Sequence, residues 1–163
     1  MCIRDSLWNC SNVLTQKILG PSFTMETVME CGGLRKNGRA GVLVIGDSCL
    51  WLGVEKKESL RVVCGRSGRD GETVGESVLE EHTLPPDTSA VFFRIRIVKR
   101  GEEAEAEFFY GSVEADKKIA ASFRLSADTW TGAKTGLFCV TDEAKEHGGW
   151  ADFRYVRYEP LPQ

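Results

Sequence analysis

Residues 89–99 read SAVFFRIRIVK, and the phase of their side chains decides the fold. Val91, Phe93, Ile95 and Ile97 fall on one side of an extended chain, and Phe92, Arg94, Arg96 and Val98 on the other. Side chains of a strand alternate with a period of two, so this stretch predicts a long strand with a cationic outer face. Residues 104–110, AEAEFFY, alternate again, with Glu105 and Glu107 out of phase with Ala106 and Phe108. Arg100-Gly101 stands between the two stretches and predicts a hairpin with Arg94 and Arg96 near Glu105 and Glu107. Cross-strand charge pairs of this kind contribute about 0.2–1 kcal/mol each.

The same reading extends in both directions. Further strands are predicted over 12–18, 22–30, 39–45, 48–56, 60–65, 73–81, 119–125, 134–141 and 149–158. Turn residues separate them: Lys36-Asn37-Gly38, Gly46-Asp47, Asp70-Gly71, Pro85-Pro86-Asp87 and His147-Gly148-Gly149. Short strands at this spacing, without an amphipathic segment of helix length, predict an all-β antiparallel sandwich or barrel. The one helical stretch, TDEAKEH at 141–147, predicts a single turn on a loop.

The chain has 163 residues, 42% hydrophobic and 28% charged, with a net charge of −3. That is one domain's length, with enough apolar content for a core. Acidic and basic residues are interspersed, so neither nucleic acid nor a membrane is an expected partner. The longest apolar runs, such as 40–45, fall far short of the ~20 residues that span a bilayer. Cys2, Cys10, Cys31, Cys49, Cys64 and Cys139 include no C-x-x-C pair, and His82 and His147 stand near no cysteine pair. No metal site or cofactor is therefore expected. The cysteines read as small buried hydrophobes of a reducing compartment, which favours a cytoplasmic over a secreted location.

Few motifs suggest chemistry. Gly65-x-x-Gly68-x-x-Gly71 lacks both a strand-to-helix context and a Gly-Lys-Ser/Thr ending, so it reads as a flexible hairpin loop rather than a phosphate loop. A hydrolytic acid/base pair needs two carboxylates about 5–9.5 Å apart across a cleft. The acidic residues here sit instead in turns or on solvent-facing strand positions, so no catalytic residue is expected. Trp51 lies within an alternating strand and reads as core or sheet face. Trp130 and Trp150 stand beside glycines at loop–strand junctions, where they could cap the core, face a neighbouring domain or stack on sugar rings. These three tryptophans are the candidate carbohydrate-binding or domain-interface residues.

The N-terminus, MCIRDS, has no signal-peptide core, no tag and no helical period. Its codons match the mosaic-end adapter of a transposase sequencing library. Residues 1–6 are therefore expected to be a scar, with 7–163 a single β-sandwich domain truncated at its N-terminal side.

A resemblance narrows these expectations. WTGAKTGLFCV at 130–140 and GGWADFRYVRYEP at 148–160 resemble the closing strands of the concanavalin A-like C-terminal domain of family 43 glycoside hydrolases, the β-xylosidase and α-L-arabinofuranosidase group. Asn12 to Lys17, Gly20 to Thr24 and Asn37 to Gly41 are similar to that domain's earlier strands, in the same order. The likeness covers about Asn12 to Pro160 and implies a jelly-roll type sandwich. Two departures stand out. Arg154 replaces the second aspartate of an "ADFD" strand, and the Glu114-Ala115-Asp116-Lys117-Lys118 turn replaces a "D-G-K" hairpin. In that family the catalytic carboxylates belong to an N-terminal five-bladed propeller. The resemblance thus implies a non-catalytic module that packs against a propeller of the same parent chain and shapes its active-site rim. A free-standing lectin-like domain binding oligosaccharide is the alternative, and a small stand-alone hydrolase ranks last.

Overall fold

The computed structural model describes Leu7 and residues 12–18, 20–70, 73–125, 132–141 and 149–162, with backbone alone at 69, 70, 73 and 74. Eleven strands appear among these residues: β1 (Val13–Lys17), β2 (Phe23–Glu30), β3 (Gly38–Ile45), β4 (Ser48–Lys56), β5 (Leu60–Asp70), β6 (Thr73–Thr83), β7 (Ala90–Arg100), β8 (Glu103–Gly111), β9 (Lys117–Leu125), β10 (Lys134–Thr141) and β11 (Asp152–Pro160). They form two antiparallel sheets, one of six strands in the order β1-β10-β3-β4-β5-β6 and one of five in the order β11-β2-β7-β8-β9. The fold is an all-β antiparallel sandwich, one of the two architectures that the strand spacing predicts and the one that the resemblance implies.

β7 sits at the middle of the five-stranded sheet, and its phase is the predicted one. Val91, Phe93, Ile95 and Ile97 are buried between the sheets, where they join Met25, Leu50, Leu52, Val62 and Phe108. Each fully buried side chain of this size contributes about 1.5–3 kcal/mol of transfer free energy. The hairpin with β8 also forms, through a turn at Gly101, whose φ of 66° suits a residue without a Cβ. The predicted charge pairing is corrected in part. Arg96 faces Glu107 at 3.6 Å, but Arg94 lies opposite Phe109 and bonds instead to Glu26 on β2, at 2.6 Å.

A second correction concerns the glycines at 65–71. Gly65 and Gly68 lie inside β5, paired with Trp51 and Ser48 of β4, so these two stand in a ladder rather than a loop, and Gly71 lies outside the described residues. The reason lies one strand away. The Trp51 ring rests on Gly65, where any Cβ would overlap Cζ2 and Cε2 of the indole. Thr141, the first residue of the predicted turn, ends β10, and residues 142–147 and 1–6 lie outside the described residues.

The inner strands of the six-stranded sheet are buried on both faces. β3 and β4 alternate nowhere, because a second cluster of Leu7, Leu43, Cys49, Trp51, Val63 and Phe138 covers their outer side. The five-stranded sheet is one-sided. Its outer face carries ion pairs that run from β11 to β9, through Glu26, Arg94, Arg96, Glu107 and Lys118.

Candidate functional site

The two lateral seams of the sandwich differ in chemistry. Where β6 meets β9, polar contacts tie the sheets together. The Ala120 N–H donates to Glu80 Oε2 at 2.9 Å, Arg66 Nη2 donates to Ser122 O at 3.5 Å, and the His82 ring stacks on Tyr110 with centroids 5.8 Å apart. The opposite seam, between β1 and β11, is apolar and open. A groove of about 190 Å³ there is lined by Leu14, Met25, Leu137, Val156 and Tyr158. A second groove, of about 340 Å³, continues past Tyr158 along Pro21, Phe23, Pro160 and Leu161. Leu14 is 71% exposed and Val156 40%. β1 and β11 are also the free edges of their sheets. An edge with apolar residues exposed along it is a surface that another polypeptide can cover.

Trp150 stands at one end of the sandwich. Its N–H donates to Gly33 O at 3.1 Å, and Gly149, at φ 85°, forms a bridge with Leu34 just before it. Its indole lies over Gly33, where an added Cβ would come within 2.5 Å of Nε1. The ring remains 58% exposed. It is a flat aromatic surface braced from below, the geometry that stacking on a sugar or on a partner requires. Trp51 is placed differently. It is fully buried, edge-on to Phe138 with centroids 5.9 Å apart and under the Arg39 guanidinium at 4.1 Å, so it offers no ring face to a ligand. Trp130 lies outside the described residues.

Several acidic side chains are held by cations. Glu26 is shared between Arg94 (2.6 Å) and Arg157 (3.1 Å), and Glu55 between Arg61 (2.7 Å) and Lys57 (3.4 Å). Glu76 meets Arg39 at 2.5 Å, and Glu30 meets Arg154 at 2.8 Å. A hydrolytic pair would instead present two carboxylates to each other across a cleft. Among the described residues no group of three or more His, Cys, Asp or Glu side chains is placed to hold a metal ion. Burial pushes the Cys49 and Cys64 thiols up to about 12, which keeps both protonated and unreactive. The seam grooves are what sequence reading missed. The only signal for them was the apolar Leu14 and Val156 on strands otherwise rich in polar residues.

The family model of the β-xylosidase C-terminal concanavalin A-like domain (GH43_C2) matches residues 4–159. Solved structures share the fold. One is a GH43 glycoside hydrolase engineered to display both endo-xylanase and exo-arabinofuranosidase activity, with a TM-score of 0.82 at 19% identity, over 96% of this chain and 32% of that one. The bifunctional GH43-CE protein of Bacteroides eggerthii has a TM-score of 0.79 at 23% identity, over 99% of this chain and 20% of its own. The GH43 protein BlXynB of Bacillus licheniformis has a TM-score of 0.69 at 16% identity, over 92% and 30%. The chain thus spans about a third or less of the length of these structures. Among curated proteins no match was found.

Proposed function

We propose, from the premise that this chain belongs to the family of β-xylosidase C-terminal concanavalin A-like domains, that it is the non-catalytic module of a larger glycoside hydrolase. The observation that carries this reading is the family match over residues 4–159. Residues 7–163 act as one accessory domain, and a propeller N-terminal to it in the parent chain hydrolyses O-glycosyl bonds of xylo- or arabino-oligosaccharides. The module packs against that propeller through an apolar surface, for which the β1/β11 seam is suited, and shapes the rim of its active site. Recovering the reading frame upstream of codon 7 tests this. Propeller-like repeats carrying acidic residues are expected there, and an upstream frame without them rules the reading out.

A second reading is favoured by one observation, the exposed and braced ring of Trp150. On that reading the domain binds oligosaccharide by itself. Titration with xylan- and arabinan-derived oligosaccharides would quench or shift tryptophan fluorescence in the wild type but not in Trp150→Phe.

A further inference from the structure

Tyr155 of β11 and the turn carrying Glu114 flank one small pocket. It lies on the outer face of the five-stranded sheet and encloses about 150 Å³. β11 carries a bulge between Phe153 and Val156 where it pairs with β2. Bulges re-aim side chains, and this one places Tyr155, 39% exposed, on the pocket wall. The bulge is fixed from beneath. The hydroxyl of Thr27, itself buried, donates to Tyr155 O at 2.6 Å, while Arg154 Nε bonds to Glu30 at 2.8 Å on the solvent side. The other wall is the β8–β9 turn with Glu114, which Gly111 allows to fold close, since a Cβ at Gly111 would collide with Glu114 O.

Between these walls Glu26 bonds to Arg94 at 2.6 Å and to Arg157 at 3.1 Å, and the Arg157 guanidinium lies 5.5 Å from the Tyr155 ring. Phe92 adds a second aromatic. We propose that this pocket is a saccharide-binding site, separate from Trp150, that takes one ring of a neutral oligosaccharide. The charges of Glu26, Glu114, Arg94 and Arg157 cancel, so the pocket has no net attraction for an anion. It offers instead paired donors and acceptors, which match vicinal hydroxyls, beside an aromatic ring that matches the apolar face of a sugar. Its volume is about half or less of the ~300 Å³ at which drug-sized pockets begin, which suits a single ring of a longer chain.

The choice of ligand class rests on the reading of this chain as a glycosidase module, but the experiment needs only the chain itself. Binding of neutral xylo- and arabino-oligosaccharides is followed by amide chemical shifts, with galacturonate oligomers as the anionic control. The expected result is a saturable perturbation centred on Arg94, Ala115 and Tyr155 with the neutral sugars only. Tyr155→Ala weakens binding about tenfold or more, whereas Tyr155→Phe and Trp150→Ala retain it. Circular dichroism identical to wild type shows that Tyr155→Ala is folded. Unchanged affinity in that variant, perturbations confined to Trp150, stronger binding of the galacturonate oligomers, or no saturable shift overturns the proposal. None of those outcomes bears on what lies upstream of codon 7, so the two readings fail separately.

Discussion

Trp51→Ala should be among the most damaging single truncations in this domain. The indole is fully buried, rests on the backbone at Gly65, meets Phe138 edge-on at 5.9 Å and carries the Arg39 guanidinium at 4.1 Å. Truncating a buried aromatic to alanine costs about 3–5 kcal/mol. The T-shaped partner and the stacked cation place this site near the upper end, at about 4–5 kcal/mol. Against a total stability of about 5–15 kcal/mol that is roughly a quarter or more of the fold, and a fall in Tm of roughly 8–20 °C. Gly65→Ala tests the same contact from below, because its new methyl overlaps the ring and overpacking costs about 1–3 kcal/mol. With Trp51 already truncated, that methyl enters free space. The double variant should therefore be more stable than the sum of the singles by about 1–3 kcal/mol. Urea unfolding followed by far-UV circular dichroism measures all four corners without relying on the indole as reporter. A loss below about 2 kcal/mol for Trp51→Ala, or strict additivity with Gly65→Ala, would refute the placement of this ring.

Arg39→Ala leaves Glu76 without its partner in a largely enclosed setting, with side chains only 7% and 18% exposed, and should cost about 3 kcal/mol; Arg154→Ala, in a pair 54% and 47% exposed, should cost under about 1 kcal/mol by the same urea titration. Burial raises the thiols of Cys49 and Cys64 from 9.0 to about 12. Because the folded-state values are the higher ones, stability holds below pH 9 and falls between pH 9 and 12 as the unfolded thiols ionise, by about 1.4 kcal/mol per pH unit for each thiol. Cys49→Ala should lessen that slope, and an unchanged slope counts against the burial. Alone in solution the chain should self-associate along the β1/β11 seam, with an apparent mass in sedimentation that rises with concentration and reverts to monomer in Leu14→Lys/Val156→Lys. A wild-type mass independent of concentration would contradict this.

Each of the eleven strands was legible because each carries its own period or run between turn residues. The pairing was legible only where a short turn enforces it, as at β7–β8. Placing β10 between β1 and β3, or β11 beside β2, depends on contacts about 90 or more residues apart, for which a single sequence has no local signal. Arg94 shows the consequence. Its phase was readable, but its partner Glu26 comes from a strand 68 residues away, so the nearer Glu105 and Glu107 looked like the natural choice. The Gly65 segment went wrong for a related reason, since glycine reads as a turn residue unless the ring resting on it is known. Trp51 reads only as core or sheet face on an alternating strand, whereas β4 is buried along its whole inner length. AGVLVI at 40–45 and CLWLGV at 49–54 do not alternate, and a non-alternating run is what two-sided burial produces.

That two-sided burial also decides where this module can act. Over its inner strands the outer face of the six-stranded sheet is taken up by the cluster around Trp51 and by the Arg39–Glu76 pair, while Val78 and Leu79 of β6 stay exposed at its edge. The β6/β9 seam is occupied by its own hydrogen bonds. Three surfaces join exposed side chains to a groove or a braced ring: the apolar β1/β11 seam, the end carrying Trp150, and the charged face around Tyr155. They suit different partners. The seam, continuous and apolar over two adjoining grooves, fits a protein surface. The Tyr155 face, polar and with its charges balanced, loses little by staying in water and gains little from burial under another domain. A module can therefore be fixed to a catalytic domain through its seam while that face stays open to solvent. Docking and saccharide binding would then be separable by mutation: Leu14→Lys should disturb only the first, and Tyr155→Ala only the second.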